Sequence, residues 1–192
     1  ARPRKTDRKT LRPFKPSPKQ PVDPQPKIEP EPITPGKQIQ LALDAAKTAL
    51  RGRDAAKAEE HLKQARALSP SDEQQRAVAH LERIATHLSE FWKLASDGVR
   101  WLKVDQTITL AGQEAKVTAI DKDKSVTIDQ GGKSRIIELS KLRDLPALEL
   151  VDLAERAVGP NDAFSKLYLA TFLQVDQPSG TSAAGKRSSD LI

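Results

Sequence analysis

The side chains with reactive chemistry are few and poorly matched to one another. The chain has no Cys, so neither a disulfide nor a thiolate-held metal is available. Its three histidines are His61, His80 and His87. His80 and His87 lie seven apart and share a helical face, but a helical carboxylate–His metal site needs Glu three residues before the His, and neither has one. They read as surface or boundary residues. The run Asp121-Lys122-Asp123-Lys124-Ser125, with Asp129 further on, has the opening of a calcium loop. Val126 then falls where that loop needs Gly, and Gly132 where it needs a bidentate Glu. Gly132-Lys133-Ser134 resembles the end of a phosphate-binding loop, yet Thr127 occupies the place of its first glycine and β-type sequence lies on both sides. Both segments read as hairpin turns. A Ser or Thr nucleophile would need a nearby His and carboxylate, but all three His fall in the helical half and no Gly-x-Ser-x-Gly occurs. The chain is therefore expected not to be an enzyme, and no catalytic residue, metal, cofactor or small-molecule substrate is assigned.

Recognition chemistry is better represented. Phe91, Trp92 and Trp101 cluster near residues 91–101. Trp92 falls on an apolar stripe and is expected in the core. Trp101 falls just off it, where it either fills a junction with the following β-type segment, the favoured reading, or stands exposed as a partner-binding anchor. A basic cluster opens the chain: Arg2, Arg4, Lys5, Arg8, Lys9 and Arg12. Residues 1–36 carry nine Lys/Arg against four acids, while residues 37–176 hold equal numbers of basic and acidic residues. The formal charge of +6 thus belongs to the ends of the chain, which argues against a basic nucleic-acid-binding domain. The arm itself suits contact with an anionic surface or polymer.

The elements that position these residues follow from periodicity. Residues 1–36 form a linker with Pro at 13, 16, 18, 21, 24, 26, 30, 32 and 35. Proline fixes φ and removes a donor, so this arm is expected to be extended and polyproline-like, about 3.1 Å per residue. A helix then carries Ile39, Ala42, Leu43, Ala45, Ala46, Ala49 and Leu50, with Gly52 as its C-cap; Asp54 caps a second helix running to about Leu68. Ser71 or Asp72 starts a long helix to Lys103, whose apolar stripe is Val78, Leu81, Ala85, Leu88, Trp92, Ala95, Val99 and Leu102. Four short alternating segments follow: 107–110, 115–120, 125–128 and 135–139. They predict an antiparallel SH3-like meander, with Gly131-Gly132 in a tight turn. Two helices are expected after Asp144, separated by Gly159-Pro160, and a disordered tail after Asp176. The fold class is α+β. Its domains are a disordered Pro-rich basic linker (1–36), a helical domain (37–103), a small antiparallel β-unit (104–142), C-terminal helices packing on the β-unit (143–176) and a disordered tail (177–192).

Ala58, Leu62, Ala65 and Pro70 have the spacing of the second helix of a tetratricopeptide repeat, and Ala42, Ala45, Ala46 and Ala49 fall where its first helix has signature positions. Residues 39–72 resemble one such hairpin, although Ala42 and Ala49 replace the usual aromatics and Gly52 comes one position early. The layout is also similar to that of uncharacterised bacterial proteins in which a Pro-rich arm precedes helices and a β-meander. Trp101–Asp121 and Leu148–Arg156 carry that likeness, which implies no activity.

A non-enzymatic protein–protein interaction or scaffolding module, tethered by the arm, is the expected function. The alternative is binding of an anionic polymer, nucleic acid or cell-envelope component, through the arm. Another protein is the expected partner, with self-association through the long helix as a further route. No apolar run approaches the roughly 20 residues that span a bilayer. With no Met, and Ala1 first, the chain is expected to have been exported with loss of a signal peptide or released from a larger chain; its compartment is left open.

Overall fold

Proline, expected to keep residues 35–36 in the linker, instead begins a helix. Pro35 starts α1 (Pro35–Arg51), where its missing N–H removes nothing the first helical turn would use. The computed structural model describes residues 34–122, 124–158 and 162–176, all within one compact unit, so the basic residues Arg2 to Arg12 and the tail after Asp176 lie outside the described residues. Helix α2 spans Ala55–Ala67, and its cap is Asp54, whose carboxylate accepts from the Lys57 amide. Helix α3 spans Asp72–Arg100 and opens with a full capping box: Ser71 accepts from the Gln74 amide and Gln74 accepts from the Ser71 amide.

Gly52 is the C-cap of α1 as expected, but the left-handed residue of the α1–α2 turn is the one after it. Asp54 N–H bonds the carbonyl of Ala49 and Arg53 N–H that of Leu50, the paired bonds of a Schellman ending. Gly52 is the C-cap with φ −76°, so the left-handed residue is Arg53, φ +61°. An L residue is strained there. Its side chain explains the placement. Nε donates to Asp176 Oδ1 (2.6 Å), Nη1 donates to the carbonyls of Arg143 and Leu145, and the guanidinium lies 5.6 Å from the centre of the Phe172 ring. One arginine thus ties the hairpin turn to two later segments.

The strands are β1 (Thr107–Leu110), β2 (Gln113–Asp121), β3 (Ser125–Gln130) and β4 (Lys133–Glu138), an antiparallel sheet in sequential order. Ala111-Gly112 and Gly131-Gly132 form two-residue turns with positive φ throughout, as type I′ geometry requires. A bulge between Val117 and Ala119 shifts the register, so Val117 pairs with Ile128 and Ile120 with Val126. A 3-10 segment, α4 (Leu139–Asp144), leads into α5 (Ala147–Glu155), and α6 (Ala163–Asp176) follows. Asp162 caps α6 by accepting from the Phe164 and Ser165 amides.

The last two helices were expected on the β-unit. Instead, both lie chiefly along α3, with α5 also touching β1. Gly98 is the reason for the first contact: a Cβ built on it would fall 1.8 Å from the Leu153 carbonyl oxygen, so only glycine lets the backbones of α3 and α5 approach so closely. The second contact is aromatic. Phe91 and Phe172 stack with centroids 3.9 Å apart and planes 7° apart. Phe91, and not Trp92, is therefore the fully buried aromatic of α3; Trp92 is half-buried, edge-on to both rings and 5.8 Å below Arg143. The stripe of α3 is covered by α2, α5 and α6, so its seam is used within the molecule. Among the described residues, no helix is long and apolar enough to cross a membrane.

Candidate functional site

The end of α3 separates two neighbouring apolar residues. Leu102 turns inward and is buried, its N–H bonded to the Val99 carbonyl, while Trp101 caps the helix with its N–H bonded to Asp97. Inward positions 98, 99 and 102 leave Trp101 at the lip of the α3–α5 crossing. It is 60% exposed, so the junction-filling role favoured for it is incorrect; Leu102 has taken that place. Val104, 51% exposed, extends the apolar surface.

Beside Trp101 is a cleft of about 320 Å³ lined by Gly98, Trp101, Leu102, Lys103, Gln106 and Arg156. Gln106 Oε1 accepts from the Lys103 amide and fixes the loop that follows the helix. The side chains of Lys103 and Arg156 form no ion pair among the described residues, and no carboxylate lines the cleft. The adjacent acids are committed elsewhere: Asp97 to Arg100 (3.5 Å) and Asp105 to Lys116 (2.7 Å), which holds the Lys116 ammonium above its ordinary pKa through that bond and its charge. An indole face next to two cations that are unpaired among the described residues suits an apolar side chain and a carboxylate presented together.

The other sequence candidates lie elsewhere. His80 is exposed, and His61 faces Gln64 Oε1 at 3.4 Å. His87 is half-buried between α3 and α6, 3.2 Å from Thr171 Oγ1 and 5.4 Å from the Tyr168 ring. Thr171 gives its proton to the Leu167 carbonyl (2.8 Å), so His87 Nδ1 must be the donor of the pair. Burial first, and then Arg83, push the His87 pKa down. Among the described residues no group of three His, Asp or Glu is placed to hold a metal. The segment likened to a phosphate loop is the β3–β4 turn, where Asp129 Oδ1 accepts from the Gly132 amide at 2.9 Å.

Two polar devices escaped the sequence reading. One is the Arg53 clamp. The other is Arg135 on β4, whose two Nη atoms donate to the two oxygens of the buried Glu149 on α5 (3.1 and 2.7 Å). No local pattern marks either pair, since the partners are 123 and 14 residues apart. Gly98 did carry a signal: glycine within a long helix is unfavourable unless a close approach requires it.

Family models, curated proteins and solved structures give no match to this chain.

Proposed function

We propose that this chain is a non-enzymatic protein–protein interaction or scaffolding module, tethered by the basic Pro-rich arm of residues 1–36, that grips its partner at the Trp101 cleft. The observation that carries the reading is a tryptophan 60% exposed beside two cations that have no ion-pair partner among the described residues. Leaving a large aromatic in water is unfavourable, and interface hot spots are enriched in Trp and Arg. The partner is a protein segment that places an acidic residue next to an apolar one. Two finer likenesses belong to the same reading. The tetratricopeptide-type hairpin is supported by the burial of Ala42, Ala46, Ala49, Ala58, Leu62 and Ala65. An SH3-like character of the sheet is supported by its four-strand sequential order and the bulge in β2.

The test uses the full chain, the Trp101→Ala variant and a Lys103→Glu/Arg156→Glu variant as baits, with bound proteins quantified. A protein held by the parent chain should bind Trp101→Ala at least about 30-fold more weakly, the equivalent of a 2 kcal/mol hot spot. Equal recovery on all three baits would refute the reading. A second reading, contact of the arm with an anionic polymer, is favoured by the excess of nine Lys/Arg over four acids in residues 1–36. It requires binding that falls steeply with salt and is lost on deleting residues 1–20.

A further inference from the structure

The sheet has two edges, and they are treated differently. On the β1 side α5 is in contact, and the Ala111 amide that follows β1 donates to Asp152 of that helix. On the other side β4 contacts β3 and the 3-10 segment that follows it. The two-residue turn makes Gln130 and Lys133 a hydrogen-bonded pair, so Ile128–Arg135 and Val126–Ile137 are bonded as well. The bond from Leu139 N–H to the Lys124 carbonyl continues the same parity. Ser134 and Ile136 therefore aim their backbone N–H and C=O away from β3, at the free edge. Ile136 is also the most exposed residue of the sheet's large apolar set, at 61%.

Natural edges are commonly guarded by a charged side chain. Here the charge nearest the middle of β4 is Arg135, and it is turned onto the opposite face by its two bonds to Glu149. Among the described residues the edge at Ile136 is left open.

We infer that β4 is a dimerisation edge that takes the β4 strand of a second copy of this chain, antiparallel, across a two-fold axis at Ile136. Register and charge select this occupant. With Ile136 opposite its own equivalent, both residues exchange their free N–H and C=O, and Ser134 faces the partner's Glu138. On the other face Arg135 meets the partner's Ile137, and Lys133 meets the partner's Leu139. Sliding two residues in total one way would put Arg135 on Arg135; sliding the other way would put Ile136 on a carboxylate. Only the central register joins the two exposed isoleucines without opposing like charges. The result is a continuous eight-stranded sheet, an isologous contact. It is independent of the Trp101 cleft, which lies at the end of α3.

The absence of Cys makes the test direct. The full chain is followed by sedimentation equilibrium over a range of concentrations, beside Ile136→Pro and Ile136→Cys. Proline at 136 removes an amide that points away from β3, so it blocks the edge without cutting the β3–β4 ladder; circular dichroism checks that the variant is folded. The expected result is a dimer for the parent chain, a monomer for Ile136→Pro, and a covalent dimer when Ile136→Cys is oxidised, because facing Cα atoms about 5.5 Å apart are within disulfide reach. Ser134→Cys alone, offset from the axis, should cross-link far less. A parent chain that stays monomeric at every concentration overturns the proposal. So does a dimer that persists in Ile136→Pro, or oxidised Ile136→Cys cross-linking no better than Ser134→Cys.

Discussion

Gly98→Ala tests the central packing contact of the molecule, because two physical effects of that one methyl have opposite sign. In an isolated helix alanine is better than glycine by about 1 kcal/mol. If α5 did not cross α3 here, the substitution would stabilise the protein by that amount. In the structure the new Cβ would sit 1.8 Å from the Leu153 oxygen and 2.7 Å from its carbonyl carbon. Ordinary contact would require the helices to part by roughly 1.5 Å or more, and the obstacle is backbone, which cannot swing aside as a flexible side chain would. Overpacking of this severity costs about 3 kcal/mol, at the upper end of the usual range. Subtracting the propensity gain leaves a net loss of about 2 kcal/mol. For a protein of this size that moves a urea midpoint down by on the order of 1 M. The assay is urea unfolding followed by far-ultraviolet circular dichroism, with Gly36→Ala as the control. A Cβ at Gly36, in the first turn of α1, meets nothing within 4 Å, so that variant should be neutral or slightly stabilised. A Gly98→Ala protein as stable as the parent, or more so, would refute the close crossing of α3 and α5.

Arg53 gives a second test in two variants. Arg53→Ala keeps the left-handed strain and removes the clamp on Asp176 and the two carbonyls, so it should lose about 3 kcal/mol, as expected when one partner of a largely buried ion pair is deleted. Arg53→Gly also loses the clamp but relieves the strain, and should recover about 1 kcal/mol of that loss; thermal unfolding that ranks Gly above the parent would show that the clamp contributes nothing. His87 gives the third. Its folded pKa lies below the ordinary value near 6.5 because burial disfavours the charged ring, so the stability it supports is complete above that value and is lost as the pH falls below it toward the folded pKa. Urea midpoints measured from pH 7.5 down to 5 should fall, and the slope should flatten in His87→Gln; an unchanged slope would place the acid sensitivity elsewhere.

Most of the secondary structure could be read locally because its causes are local. Asp54 and Ser71 cap helices as expected, the two glycines at 131–132 turn a hairpin, and the four alternating segments form a sequential antiparallel sheet. Misplacements arose where a nonlocal contact decided between two local options. Trp92 and Phe91 are adjacent and equally apolar; the choice between them was made by Phe172, which stacks on Phe91 from 81 residues away. Leu102, on the stripe, is buried as expected, while Trp101, one position off it and beside the close crossing of α3 and α5 at Gly98, is exposed instead of filling the junction. The periodicity of the sequence determined that α3 has an apolar side and that β-type segments follow it. Only the tertiary structure decided that α5 and α6 cover that side, that Arg53 accepts a strained backbone to hold Asp176 of α6 and the Arg143 and Leu145 carbonyls, and that Trp101 faces outward. The physical reason is that periodicity records which side of an element avoids water, while its partner is selected by shape and by polar bonds between residues far apart in the chain.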